Sequence, residues 1–233
     1  MKLCIVLPTY NEASNLKELI EGIDKNLKYH NYEVLVIDDN SPDGTSQIAE
    51  GLSKTYPIKI INRKGKLGLG SAYRLGFEKV KNNFDLIISM DSDLSHNPDH
   101  LPALIKKVED GYDISIGSRY TKGGGLTNIE GYRKVISHSA NFIAKLILGI
   151  KIADCTSGYR CYKSWIFKDL DLNALRCDNY DFLEEILYKC VKKGYKIAEV
   201  PIIFKNRARG ESKLNRKEVL SFIKTILRLR LNG

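Results

Sequence analysis

Hydrophobic and polar positions alternate in two patterns along the chain. Short, mostly apolar runs occur at Lys2 to Pro8, Tyr32 to Ile37, Ile58 to Ile61, Phe84 to Met90 and Tyr112 to Gly117. They have the length of strands, and strands without a polar face belong in a sheet covered on both sides. Between them apolar residues recur every three or four positions, as in a helix with one buried face: Asn11 to Leu27 carries Leu16, Leu19, Ile20, Ile23 and Leu27, and Thr45 to Tyr56, Ser71 to Lys81 and Pro98 to Glu109 follow. This order predicts an α/β fold, a Rossmann-like, mostly parallel sheet with helices on both faces and ligands at the carboxyl ends of the strands. Farther on, Tyr132 to Leu148 reads as a helix, and Ile197 to Phe204 as an edge strand because it contains Pro201. Arg216 to Leu231 reads as an amphipathic helix with Val219, Leu220, Ile223, Ile226 and Leu227 on one face and Lys217, Lys224 and Arg228 on the other. Residues 1–204 are expected to form one domain, to which the basic loop and helix of residues 205–233 belong.

Three of the strand runs lead into carboxylates. The central one stops at Asp91-Ser92-Asp93-Leu94-Ser95-His96. Because side chains alternate along extended chain, Asp91 and Asp93 are expected to point to one side and to share a divalent cation whose open faces hold a diphosphate. Glu12, Asp38 and Asp39 follow the first two runs, so a convergent acidic edge is expected. A calcium loop fits poorly, because the sixth and twelfth positions from Asp91 are His96 and Pro102 in place of glycine and glutamate. Gly65 to Gly70 precedes a helix and lacks the Lys-Ser/Thr of a phosphate loop, so it reads as a helix start. Gly123-Gly124-Gly125 is a loop able to close over a substrate. Arg133 and Ser137 lie one turn apart on a helix face, and Glu184 and Glu185 read as the polar face of another helix.

Composition narrows the classes. A chain of 233 residues, 43% hydrophobic and 28% charged, is globular. No stretch approaches the roughly 18–20 apolar residues of a membrane span, and the first residues lack a signal-peptide layout, so a cytosolic chain is expected. Five cysteines without Cys-x-x-Cys spacing point to reduced thiols, and Pro98 between His96 and His100 argues against a helical zinc pair. Residues 205–233 hold nine basic residues against two acidic ones, +7 of the net +9, and such a segment seeks an anionic partner. Nucleic acid is disfavoured, because the segment carries a single aromatic, Phe222, and none near its basic run.

Five stretches, taken in order, resemble the motifs of dolichyl-phosphate (polyprenyl-phosphate) mannose synthases, family-two inverting glycosyltransferases of the GT-A fold. They are Val6 to Glu12, Val36 to Gly44, Asp91 to His96, Gly117 to Tyr120, and Arg207 to Leu214. The resemblance covers nearly the whole chain. It implies transfer of mannose from GDP-mannose to dolichyl or polyprenyl phosphate, giving a lipid-linked donor for protein glycosylation. Pro8, Tyr10, Glu12, Ile37 and Asp39 would hold the guanosine, and Asp91, Ser92, Asp93 and Ser95 would surround the sugar diphosphate and its Mg2+ or Mn2+. The metal ligands would be Asp93, Ser95 and Asp91, and the catalytic set Asp91, Asp93 and Arg119, with Arg119 facing the reacting phosphates. Arg207 and Lys213 would bind the nucleotide diphosphate from a lid, and Arg133 and Ser137 would receive the lipid phosphate.

The chemistry agrees with that assignment. An in-line displacement at the anomeric carbon requires the leaving diphosphate to be neutralised, and a sugar-hydroxyl acceptor requires a base as well. A phosphate monoester, with a second pKa of about 6, is already ionised. Sugar-polymerising relatives share Gln-x-x-Arg-Trp, whereas Trp165 here lies in Tyr162-Lys163-Ser164-Trp165. Another sugar from a UDP donor on the same lipid ranks second and a hydroxyl acceptor third. The chain resembles the short members without carboxy-terminal membrane spans. It is expected on the cytoplasmic face as a peripheral protein, docked on the membrane surface through Tyr132 to Leu148 and Arg216 to Leu231 or held by a small membrane anchor protein.

Overall fold

The computed structural model describes residues 1–128, 131–175, 177, 179, 181–205 and 216–232, and the side chains of that set apart from 132, 133, 216–221 and 232. The first half alternates β1 (Lys2–Thr9), α1 (Ala13–Leu27), β2 (Asn31–Asp38), α2 (Thr45–Leu52), β3 (Ile58–Asn62), α3 (Leu69–Val80), β4 (Leu86–Ser89), α4 (Leu101–Glu109) and β5 (Ile114–Ser118). Pro98–His100 forms a separate 3-10 turn before α4, with the Asn97 side chain accepting from the Asp99 amide. Then come β6 (Gly125–Thr127), α5 (Gly131–Leu148), β7 (Arg160–Lys163), α6 (Ile166–Asp169), α7 (Phe182–Lys192), β8 (Ile197–Pro201), β9 (Ile203–Lys205) and α8 (Arg216–Asn232).

The main sheet has the order β3-β2-β1-β4-β7-β5-β8, and every pairing is parallel except those of β7, which runs antiparallel between β4 and β5. Side chains alternate between two cores. Leu3, Ile5 and Leu7 of β1 meet α1 and α4, while Cys4 and Val6 meet α3, and so the apolar runs lack a polar face. α3 lies close on the sheet at Gly76, where a Cβ would sit 2.5 Å from Val6 Cγ1 and 2.8 Å from Ile37 Cδ1.

The chain winds outward from β1 through β2 to β3, and then crosses back to place β4 on the other side of β1. The order reverses between β1 and β4, and the crevice beyond their carboxyl ends is where an open α/β sheet binds its ligand.

Four expectations need correction. β7 was not expected: it is four residues long and contains the fully buried Arg160, so no apolar run marks it. The expected strand Ile197 to Phe204 changes partner at Ile202. Pro201 ends β8 at the sheet edge, and β9 joins β6 in a separate two-stranded sheet. Among the described side chains of α8 the inward face is Phe222, Thr225, Ile226 and Leu229, with Ile223 and Leu227 exposed and Arg228 turned onto the body, while the side chains of Lys217, Val219 and Leu220 lie outside the described set. Glu184 and Glu185 are buried, because the first two turns of α7, from Phe182 to Tyr188, are enclosed on every side.

Candidate active site

β4 ends at Ser89, so Asp91 and Asp93 lie in a loop and the pleat argument for their common direction does not apply. Hydrogen bonds shape the loop instead. Asp93 Oδ1 accepts the Ser95 amide at 3.0 Å and the Ser95 hydroxyl, and Ser92 Oγ donates to Pro8 O at 2.9 Å, tying the loop to the end of β1. Leu94 takes a left-handed φ of 64°. In a bulky residue this strain costs about 1–3 kcal/mol and persists only where surrounding bonds impose it. Tyr73 Oη donates to Met90 O, and the Asp91 amide donates to His96 Nδ1 at 3.0 Å.

The expected nucleoside residues lie at the same edge, with divided duties. Tyr10 has Lys66 Nζ over its ring, 4.5 Å from the centroid. Glu12 is buried against Asn15 Nδ2, and its amide donates to Thr45 Oγ1. Asp38 closes its turn by accepting from Ser41 and Thr9. Asp39 is gripped by Arg63 at Oδ1 and by the Leu67 amide at Oδ2, 3.1 Å. Ile37 is fully buried beneath α3, so its side chain belongs to the core and only its backbone reaches the edge. The acidic edge is therefore largely occupied by local bonds. Sequence reasoning missed Arg63, although it directly follows β3 at the carboxyl edge.

On the other side of the crevice Arg119 Nε and Nη2 fork onto Asp154, both at 2.7 Å, and Nη2 also reaches Thr156 Oγ1. Asp154 is wholly buried and its amide donates to Glu199 Oε1. Burial raises its pKa, but the Arg119 hydrogen bonds and charge outweigh that and hold the carboxyl below the usual range. No motif in the sequence pointed to Asp154. Arg160 lies beneath this loop and donates to the Ser157, Leu183 and Cys155 carbonyls. Ser137 on α5 shares a 2.7 Å hydrogen bond with Tyr120 Oη, which carries it toward Arg119. The Arg133 side chain, Arg207 and Lys213 lie outside the described residues.

Asp91, Asp93 and Ser95 offer hard oxygen donors within five residues, a set that fits Mg2+ or Mn2+ drawing its remaining ligands from substrate phosphate and water. Among the described residues no group of three or more His, Cys, Asp or Glu side chains is placed to hold a metal by itself. His96 Nδ1 and His100 Nε2 each accept a backbone amide, and all five cysteines are buried free thiols.

The family model described as "Glycosyl transferase family 2" matches residues 4–171. The chain belongs to glycosyl transferase family 2. Within that family it is 42% identical over 231 residues to a dolichol-phosphate mannosyltransferase of Pyrococcus furiosus, spanning 98% of this chain and 64% of that protein's length. It is 36% identical to the polyprenol monophosphomannose synthase of Mycolicibacterium smegmatis, over 91% of this chain and 80% of the relative. Among solved structures, glucosyl-3-phosphoglycerate synthase of Mycobacterium tuberculosis with Mn2+, UDP and glucosyl-3-phosphoglycerate superposes with a TM-score of 0.73 at 18% identity, covering all of this chain and 81% of that one. The same enzyme with Mg2+ and UDP gives 0.72 at 18% identity and 80% coverage. At that identity the likeness establishes the GT-A-type fold of this family-two chain.

Proposed function

We propose that the protein transfers mannose from GDP-mannose to dolichyl or polyprenyl phosphate with inversion, giving a lipid-linked mannose donor for protein glycosylation. The similarity to two proteins named for polyprenyl-phosphate mannose chemistry supports the reaction class. The observation that carries the choice of acceptor is the withdrawal of the α7 carboxylates. Burial pushes Glu184 up to about 8 against the opposing charge of Arg160, so it is protonated at neutral pH, and Glu185 is taken by Arg228 and the Cys177 amide. Neither stands ready as an ionised, unengaged base for a hydroxyl acceptor, whereas an ionised phosphate needs cations only.

In this reading Tyr10, Asp39 and the backbone around Pro8, Glu12 and Ile37 receive the nucleoside, and Ser92, Asp93 and Ser95 orient the sugar diphosphate. Asp91, Asp93 and Ser95 would hold Mg2+ or Mn2+, whose chemistry is to neutralise the departing diphosphate. Arg119, fixed in direction by Asp154, adds positive charge at the reacting phosphates, with Arg207 and Lys213 supplying more from the nucleotide side. Arg133 and Ser137 receive the acceptor phosphate. The exposed Val135, Ile136, Phe142 and Leu146 of α5 support peripheral docking on the cytoplasmic face, directly or through a small membrane partner.

The test offers the purified protein GDP-mannose, UDP-glucose and UDP-N-acetylglucosamine with a polyprenyl phosphate and Mg2+ or Mn2+. Mannose should become lipid-linked, from GDP-mannose. Transfer only from a UDP-sugar would replace the donor, and transfer to sugar hydroxyls would sink the acceptor assignment.

A further inference from the structure

We propose that His96 is a positioning residue for the metal-diphosphate loop, acting through Nδ1 as the acceptor that fixes the Asp91 backbone. The inference rests on the reading of Asp91 and Asp93 as the cation-diphosphate site. That loop has left its strand and carries a left-handed leucine, so its shape depends on what grips it. One half is held by Asp93 and Ser95 between themselves and by Ser92 on Pro8 O. On the Asp91 side, the backbone amide crosses the loop to His96 Nδ1 at 3.0 Å. With Nδ1 accepting, the ring proton resides on Nε2.

The imidazole is itself fixed by two separate parts of the chain. It is 2% exposed, stacks on Tyr159 with centroids 4.9 Å apart and 19° between planes, and meets the Phe204 ring edge-on at 5.6 Å. Tyr159 in turn donates to Asn97 O, immediately beyond the loop. The neighbouring Gly158 lacks a side chain where a Cβ would lie 3.8 Å from both His96 Cε1 and Asp91 Oδ1. The ring therefore links the segment that enters β7, and β9, to one backbone atom of the first candidate ligand. Groups that orient a metal ligand without touching the metal act in this way.

Two substitutions separate the acceptor from the ring. His96→Asn places an amide oxygen where Nδ1 lies and gives up the stack, whereas His96→Phe keeps the stack and gives up the acceptor. Mn2+ binding is measured by electron paramagnetic resonance titration in the presence of GDP and, separately, of UDP, with thermal unfolding recorded for each variant. His96→Phe should weaken Mn2+ binding with nucleotide by roughly 10-fold or more, the usual loss when an orienting partner is removed, while its melting temperature stays near that of the wild type. His96→Asn should bind Mn2+ nearly as the wild type does, even if it melts earlier. Wild-type affinity in His96→Phe overturns the inference, as does equal loss in both variants, which would make the ring's packing responsible. Should His96→Phe not fold, His96→Asn decides alone: retained binding supports the inference and lost binding overturns it. If the wild type binds no Mn2+ with either nucleotide, the cation-diphosphate reading of the loop has failed and the inference falls with it, a result distinct from wild-type binding that the variants leave unchanged.

Discussion

Glu184 has one carboxylate oxygen, Oε2, buried without a hydrogen-bond partner in the first turn of α7. Desolvation is the largest influence on it, with Arg160 opposing, and the outcome is a carboxyl raised from 4.5 to about 8. The linkage follows from proton counting. Between those two values the folded chain keeps a proton that the unfolded chain has lost, so this group's contribution is fully present below about 4.5 and is lost as pH rises toward 8. Each unit of pH in that window removes up to about 1.4 kcal/mol per proton. Glu184→Gln keeps the shape and cannot ionise. Its stability relative to wild type should therefore rise steadily from pH 5 to 8 in urea unfolding, and a constant difference would show that Glu184 is ionised in the folded protein. Such residue-scale features were only partly legible. Asp91, Asp93 and Arg119 stand in recognisable stretches, but Asp154, Arg63 and the enclosure of Glu184 depend on which loops meet across the sheet, and spacing along the chain does not record that.

Elements were legible to the extent that one apolar pattern sufficed to define them. β1, β2 and β4 are runs buried on both faces, and α1 and α4 carry single stripes, so their positions follow from periodicity. β7 escaped because its buried arginine interrupts any run, and α8 was rotated because it carries apolar residues on two faces, which periodicity alone cannot rank. α3 shows what close packing demands of an element. Val6 and Ile37 fill the space where Gly76 has no Cβ, so Gly76→Ala forces α3 off the sheet or the two side chains off their rotamers. Overpacking of this kind costs about 1–3 kcal/mol, more than the up to ~1 kcal/mol that alanine gains over glycine in a helix. Chemical denaturation should show Gly76→Ala to be less stable than wild type. Equal or greater stability would mean that α3 can lift without cost.

At the scale of the whole molecule, strand order decides where chemistry can occur, because the reversal between β1 and β4 leaves the only crevice of that kind among the described strands. α5 contributes Ser137 toward the Arg119 side of this crevice and presents Val135, Ile136, Phe142, Ile143 and Leu146 outward, while Ile223, Leu227 and Leu231 of α8, which packs beside α5, are exposed as well. No described helix is long and apolar enough to cross a membrane. Arg228 is engaged by Glu185 and Cys177, which leaves Lys224 and Arg230 as the exposed basic residues of the described part of α8. On the described surface of α5 and α8, each apolar side chain should then contribute more to adsorption than each basic one: burying one Phe or Leu side chain is worth about 1.5–3 kcal/mol, against about 1 kcal/mol for each basic residue near an anionic surface. Flotation with anionic vesicles tests this balance. Phe142→Ser with Leu146→Ser, both exposed and outside the packed face of α5, should lower vesicle binding by at least roughly 10-fold with the melting temperature unchanged, whereas raising the salt concentration should weaken wild-type binding less. Complete release by salt with no effect of the double substitution would make docking electrostatic. If the wild type fails to bind at low salt but associates with membranes through a protein partner, direct docking is wrong.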